Sequence, residues 1–218
     1  MREAADRLGV GSVAVRKRIA SGRLPAVKRG RDWWLDERIV QRVARQHPGS
    51  GRPLSFSMAW AVLLLASGQE AAAGQIAGRE RYRSRARQWL REHPLQDHAP
   101  RFRDRAVSEQ FGAHPAELPR ILARPDVLAT GVSVADRVGL AGQASSLEVY
   151  APAGRRGVIV AEHALMPGEG PVHVRWVPDQ AWALIAGDGR TPRAAVLLDL
   201  LESDEPRARR EAARALAS

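Results

Sequence analysis

The apolar positions at the start of the chain predict two short helices followed by a hairpin. Apolar side chains recur at helical spacing on both sides of Gly9. They are Ala4, Ala5, Leu8, Val10, Val15 and Ile19. Gly9 ends the first predicted helix, and Ser12 is the predicted N-cap of the second. Short segments at residues 26–28 and 33–35 flank a basic turn that contains a glycine, which predicts a two-stranded wing before a further helix over residues 36–46.

The rest of the chain changes from helical to strand-like spacing. Residues 48–53 are rich in proline, glycine and serine and form the predicted linker. A buried helix and an amphipathic helix over residues 79–91 follow. Segments of strand length, separated by glycine and proline, lie at residues 125–133, 146–150, 157–161 and 172–177. A short helix over residues 133–139 and two helices that start near Thr191 and Arg207 complete the pattern.

These elements predict an α+β protein in four parts. Residues 1–47 form a winged helix-turn-helix DNA-binding domain, and residues 48–53 form a linker. Residues 54–118 form a helical, arginine-rich segment. Residues 119–218 form an α+β C-terminal partner or regulatory domain, in which helices pack on a small, mostly antiparallel sheet.

Positive charge is concentrated at the start of the chain. The formal net charge of the 218 residues is +10, of which residues 1–52 hold +8 and residues 53–125 hold +4, whereas residues 126–218 hold −2. Residues 16–18 are all basic and lie in the second predicted helix. A basic helix behind a short turn suits the major groove of DNA. The distribution therefore predicts a polyanion as the partner of the N-terminal part.

Several N-terminal motifs carry a family resemblance, namely Glu3-Ala-Ala-x-x-Leu-Gly-Val, Val15, Ile19-Ala-Ser-Gly-Arg-Leu-Pro-Ala26 and Lys28-x-Gly30. They resemble the winged helix-turn-helix of the MerR and excisionase type. The resemblance implies that the second helix faces bases and phosphates of double-stranded DNA, and that the hairpin holds the DNA backbone. The predicted DNA contacts are Ser12, Val13, Ala14, Arg16, Lys17, Arg18, Arg23, Lys28, Arg29 and Arg31.

The C-terminal half carries a second resemblance. Its motifs are Leu128-x-Thr-Gly131, Ser133-x-Ala135, Leu147-Glu-Val-Tyr150, Arg175-x-Val177, Ala194-Ala-Val-Leu-Leu-Asp-Leu-Leu201 and Pro206-Arg207-Ala208. These motifs resemble the AbiEi-type antitoxins of bacterial type IV toxin–antitoxin pairs. The resemblance implies a repressor of its own operon whose protein partner is a nucleotidyltransferase-like toxin.

The arginine-rich helix over residues 79–91 has two interpretations. Its apolar stripe consists of Tyr82, Ala86, Trp89 and Leu90, and arginines occupy its other faces. Those faces are either a solvated surface or a second contact with nucleic acid. In the second case the secondary phosphate contacts are Arg79, Arg83 and Arg87.

The sequence lacks the residue constellations of the common enzyme classes. It has no cysteine, no glycine-rich phosphate loop that ends in lysine, and no pair of histidines at the helical spacing of a zinc site. A restriction-like nuclease would use Asp126 and Glu148, but Tyr150 occupies the position where that motif requires lysine. We therefore expect no enzymatic activity, and no catalytic residue, metal or cofactor.

Two further features bear on partners and location. Asp199 lies inside the leucine-rich helix, where it serves either a structural hydrogen bond or helix pairing, or contact with a partner or ligand. The apolar run at residues 58–66 is about half as long as a membrane span requires, so it predicts a buried core helix and no membrane contact. The absence of cysteine and of a leader segment favours the cytoplasm.

The combined features predict a sequence-specific DNA-binding transcription regulator, of the kind of an antitoxin-like autorepressor. Its C-terminal part would bind a partner or form a homodimer, since a lone helix-turn-helix reads few bases. One alternative is a one-component regulator whose C-terminal sheet binds a small ligand. An excisionase-like DNA-architectural factor and, less favoured, a restriction-like nuclease are the others.

Overall fold

The chain folds into two compact units of mixed α+β structure, formed by residues 1–52 and 53–218. The computed structural model describes residues 2–8, 11–20, 24, 26–30, 32–37, 39–40, 52–139, 146–203 and 205–217. Most of the predicted linker and the end of the helix predicted over residues 36–46 lie outside the described residues.

The first unit contains a helix pair and a hairpin, as the apolar spacing predicted. Its elements are α1 (Arg2–Arg7), α2 (Ser12–Ala20), β1 (Val27–Arg29) and β2 (Asp32–Trp34). The strands are antiparallel, and Val27 lies opposite Trp34. The carbonyl of Gly11 accepts from Val15 N–H and α2 already begins at Ser12, so Gly11 and not Ser12 holds the cap position.

The core of the first unit is formed by the predicted stripe and by residues that follow it. Its buried members are Ala4, Ala5, Leu8, Val15, Leu24 and Val40. Ile19, Leu35 and Ile39 pack against them. Val10 and Gly9 lie outside the described residues. Because residues from both helices and from both ends of the hairpin enter one cluster, that cluster fixes which faces of α2 and of the hairpin point to solvent.

The second unit begins with three helices, α3 (Phe56–Ala66), α4 (Glu70–Ala77) and α5 (Glu80–Glu92). The Ser55 hydroxyl accepts from Met58 N–H at 3.4 Å and caps α3. The residues from Ala59 to Leu64 are fully buried, which confirms the buried core helix predicted there. Among the described residues, no helix is both long enough and apolar enough to span a membrane.

A five-stranded sheet follows two 3-10 segments, Leu95–Asp97 and Ala99–Arg105. Its strands are β3 (Val107–Gly112), β4 (Leu128–Ala129), β5 (Leu147–Pro152), β6 (Met166–Pro167) and β7 (Val172–Val177). Their spatial order is β4-β5-β7-β3-β6, with β5 and β7 parallel and the other pairs antiparallel. The prediction of a small, mostly antiparallel sheet is confirmed.

Three strand predictions differ from the structure. β3 lies inside the segment predicted to be helical, and it is an internal strand of the sheet, between β7 and β6. Residues 157–161 were predicted to form a strand but are part of a helix. An apolar run of that length fits a strand and a helix equally well, because it has no period that distinguishes them. Only Leu128 and Ala129 of the strand predicted over residues 125–133 pair with β5, since the chain turns at Gly131, where φ is 53°.

The remaining helices cover the two faces of the sheet. They are α6 (Glu117–Leu122), α7 (Arg156–Glu162), α8 (Asp179–Ile185), α9 (Arg193–Glu202) and α10 (Pro206–Ala217), with 3-10 segments at Gly131–Val138 and Ala153–Arg155. α6 and α7 pack on the face that carries Val149 and Trp176. α3 and α9 pack on the opposite face, against Tyr150 and Val177.

The three predicted C-terminal helices are confirmed, in that Gly131–Val138, α9 and α10 occupy the expected segments. The position of Thr191 before Pro192 predicts that Thr191 is the N-cap of this helix. Pro192 holds the cap position of α9 instead. The Thr191 hydroxyl donates to the carbonyl of Ala129 at 2.8 Å, which ties the start of α9 to strand β4.

Candidate nucleic-acid interface

The exposed face of α2 is defined by the residues that it buries. Val15 is fully buried and Ile19 packs against the same core. Val13 is 64% exposed, and the side chains of Arg16 and Lys17 are also exposed. Helical spacing therefore separates an inward apolar stripe from an outward face that displays two cations and one aliphatic side chain.

The hairpin presents both charge and apolar surface. Lys28 is exposed, and its ammonium lies 6.0 Å from the centre of the Trp33 ring. Leu35 packs on the core, so the alternation of the strand turns Trp34 outward, where it is 61% exposed. Its cross-strand neighbour Val27 is 62% exposed. The exposed pair of Trp34 and Val27 was not predicted. Because neighbouring residues of a strand point to opposite faces, a core position for Leu35 already indicates that Trp34 points outward.

The structure brings the predicted contacts of α2 onto one surface. Ser12, Val13, Arg16 and Lys17 are exposed, whereas Ala14 is half-buried. Lys28 is exposed on β1. The side chains of Arg18 and Arg29, and all of Arg23 and Arg31, lie outside what the structure describes.

The arginines of α5 divide into two groups. Arg87 and Arg83 both reach Glu70 of α4, with nitrogen–oxygen distances of 2.6 and 3.4 Å. The hydrogen bond from Arg87 holds the pKa of Glu70 below its usual value. Glu80 lies 3.9 Å from each of these two arginines. Among the residues predicted to contact phosphate, Arg83 and Arg87 are thus engaged by carboxylates, while Arg79 is exposed.

Asp199 is fully buried at the centre of a network of charged and hydroxyl groups. Its carboxylate accepts hydrogen bonds from the Thr130 hydroxyl at 2.5 Å and from the Tyr150 hydroxyl at 3.0 Å. The Arg105 guanidinium donates to it at 2.5 Å, and Arg175 Nε lies 3.2 Å away. The interpretation of Asp199 as a structural hydrogen-bonding residue is confirmed.

Two further carboxylates complete this network. Glu202 accepts from Arg105 at 2.8 Å, and Glu148 accepts from Arg175 at 3.2 Å. Glu148 is buried against Gly131, where an added Cβ would lie 2.0 Å from its Oε2 atom. Burial, together with the charges of Asp199 and Glu202, raises the pKa of Glu148 to about 7 against the opposing effect of Arg175. The network therefore contains three carboxyl groups but only two buried guanidinium groups, those of Arg105 and Arg175.

Neither carboxylate of the nuclease alternative is free. Asp126 accepts from Arg124 at 2.8 Å and from Arg155 at 2.9 Å, and these hydrogen bonds hold its pKa below the usual value. Glu148 belongs to the buried network. In the part of the chain that the structure describes, no group of three or more acidic, histidine or cysteine side chains is placed to hold a metal ion.

Comparisons of this chain with protein-family models, with curated proteins and with solved structures found no match. The resemblances to MerR and excisionase proteins and to AbiEi-type antitoxins therefore stay predictions.

Proposed function

We propose that the protein is a sequence-specific DNA-binding regulator whose first unit, as a winged helix-turn-helix, reads DNA. The observation that carries the proposal is the outward face of α2, on which Arg16, Lys17 and Val13 stand opposite the buried Val15. Arginine and lysine donate to guanine in the major groove, and an aliphatic side chain matches the thymine methyl group.

The distribution of charge supports the same assignment. Residues 1–52 carry +8, whereas residues 53–218, a segment about three times as long, carry only +2. A cationic hairpin beside a reading helix is suited to phosphate contact. We further propose that the protein is an antitoxin-like autorepressor, with the second unit as the surface for a nucleotidyltransferase-like toxin or a second copy of the chain. The C-terminal resemblance supports this finer assignment.

Arg16→Ala and Lys17→Ala are each expected to reduce discrimination between the protein's own upstream DNA and an unrelated duplex. Loss of one good base contact corresponds to about 1–3 kcal/mol of discrimination, which is roughly 5- to 150-fold in the affinity ratio. Fluorescence anisotropy with both duplexes over a series of salt concentrations measures this ratio. Arg190→Ala removes an exposed arginine of the second unit and is the matched control. A wild-type protein that binds both duplexes equally would overturn the regulator proposal.

Lys28→Ala is expected to weaken binding to all duplexes alike, because the hairpin is proposed to contact the DNA backbone. Removing one phosphate contact lowers the slope of log affinity against log salt by about 1. The same anisotropy titrations measure that slope. If Lys28→Ala instead changed the preference between sequences and left the slope intact, the hairpin would be a base-reading element.

A further inference from the structure

A pocket in the second unit lies where the start of α3, the end of α4 and the start of α5 meet. Its volume is about 260 Å³, and it is lined by Ser55, Ser57, Met58, Ala61, Ala77 and Tyr82. A cavity of about 150 Å³ accepts benzene, whereas pockets for drug-sized ligands span about 300–1,000 Å³. The pocket thus has room for one single or fused ring and not for a large ligand.

The walls of the pocket combine an apolar floor with hydroxyl groups. Ala61 is fully buried, and Met58 and Ala77 are half-buried. Ser55 and Ser57 are exposed and bring two hydroxyls, each able to donate and to accept. Tyr82 is 41% exposed, so much of its ring is available for stacking. These groups suit a planar ring with heteroatoms on its edge.

The side of α5 that carries Tyr82 is cationic. The Arg81 guanidinium lies 4.7 Å from the centre of the Tyr82 ring and donates to its hydroxyl at 3.0 Å. Arg79 and Arg85 stand three residues before and after Tyr82, which places them on the same side of the helix. Both are exposed, and within the described residues neither has an acidic partner, in contrast to Arg83 and Arg87. A ligand at this pocket is therefore expected to be anionic.

We propose that this pocket binds an unpaired nucleobase, with Arg79, Arg81 and Arg85 holding the attached phosphate. Base stacking on an aromatic ring beside arginines is the usual mode of binding single-stranded nucleic acid. The serine hydroxyls match the donors and acceptors of a base edge, whereas the phenyl ring of a phosphotyrosine has none. A base inside a duplex is stacked between neighbours and does not enter such a pocket. The nucleotide is either free or part of a strand.

The test measures binding of the full-length protein to adenosine and cytidine monophosphates by isothermal titration calorimetry. It also measures anisotropy of a short labelled single-stranded oligonucleotide. Tyr82→Ala is expected to weaken binding roughly 5- to 150-fold, since one stacked base corresponds to about 1–3 kcal/mol. Tyr82→Phe keeps the ring and is expected to retain binding. Arg85→Ala is expected to weaken binding and flatten its salt dependence, whereas the matched control Arg190→Ala leaves both unchanged. Circular dichroism verifies that the Tyr82 variants are folded.

The two sources of nucleotide give different results. A mononucleotide that binds and displaces the oligonucleotide identifies a free nucleotide as the ligand, and oligonucleotide binding alone identifies a nucleotide in a strand. The proposal is overturned if neither probe binds, if Tyr82→Ala binds like wild type, or if phosphotyrosine displaces the probe as well as a nucleotide does. The regulator proposal fails separately, if the wild-type protein binds its own upstream duplex and an unrelated duplex equally. Loss of oligonucleotide binding in Lys17→Ala but not in Tyr82→Ala would assign it to α2.

Discussion

Asp199→Ala is expected to lower the free energy of unfolding of the second unit by about 3–5 kcal/mol. The Asp199 carboxylate is fully buried and accepts hydrogen bonds from Thr130, Tyr150 and Arg105. Without it, Arg105 and Arg175 lose a shared counter-charge while they stay buried. Because a typical domain has only about 5–15 kcal/mol of stability, this single change removes a large part of it.

Two control variants separate the charge of Asp199 from its volume and from general effects of losing an acid. Asp199→Asn keeps the shape and one oxygen acceptor but removes the charge. Its free energy of unfolding is therefore expected to lie between those of wild type and Asp199→Ala. Asp136→Ala removes an exposed acid and is expected to change stability by less than about 0.5 kcal/mol. Urea unfolding followed by tryptophan fluorescence and circular dichroism measures all three. Equal values for Asp136→Ala and Asp199→Ala would show that the network does not stabilise the fold.

The sequence singles out Asp199 but does not reveal its partners. A lone carboxylate inside a leucine-rich helix must be satisfied when it is buried, and that requirement makes a hydrogen-bonding role predictable. One of its two closest partners, Arg105, is 94 residues away in sequence and lies inside the helical segment predicted over residues 54–118. Nothing in local periodicity distinguishes Arg105 from the exposed arginines nearby. The contact depends on tertiary structure that a pattern of neighbours does not contain.

Elements with one regularly buried face were predictable from the sequence, whereas an element held in place by distant pairing was not. The stripe in α1 and α2 is regular because one face of each helix is buried, and the core formed by Val15 and its neighbours follows from it. Strand β3 was missed because only Phe111 is fully buried in it, and its other side chains are polar or exposed. Its place in the sheet is determined by pairing with β7, whose residues lie more than 60 positions later.

The candidate interfaces were predictable in outline and not in detail. The clustering of charge in residues 1–52 identifies the basic unit, and helical spacing identifies Arg16 and Lys17 as outward residues. Spacing alone does not show that Glu70 of α4 engages Arg83 and Arg87, because the angle between two helices decides that contact. The Tyr82 pocket is formed by three helices and has no sequence motif of its own.

Glu148 is expected to make the second unit less stable as the pH rises from about 4.5 to about 7. Burial raises the pKa of Glu148 from 4.5 to about 7 in the folded state, so the folded protein holds a proton that the unfolded chain has released. Below pH 4.5 both states are protonated and the penalty is absent, and above pH 7 it is complete. A tenfold change in proton affinity corresponds to about 1.4 kcal/mol, so the full penalty is about 3 kcal/mol.

Glu148→Gln tests this directly, because glutamine has nearly the same shape and no proton to release. At pH 4 the variant is expected to match wild type, and at pH 8 it is expected to be more stable by about 3 kcal/mol. Burial and the nearby cations also lower the pKa of His98, so stability falls as the pH falls below 6.5, which is the opposite pH dependence. This contribution is the same in the variant and in wild type, so it cancels when the two are compared. Urea unfolding at a series of pH values measures that difference.

Glu109→Gln is the matched control for Glu148→Gln, since the same change is made on a neighbouring part of the sheet. Hydrogen bonds from Arg156 and Trp176 hold the pKa of Glu109 below its usual value, so its ionised form stabilises the fold above pH 4.5 and that contribution is lost as the pH falls through the lowered pKa. Glu109→Gln is therefore expected to reduce stability at pH 7, opposite in sign to Glu148→Gln. If both variants reduced stability at pH 8, Glu148 would be ionised at little cost, and the two arginines would suffice to balance all three acids of the network.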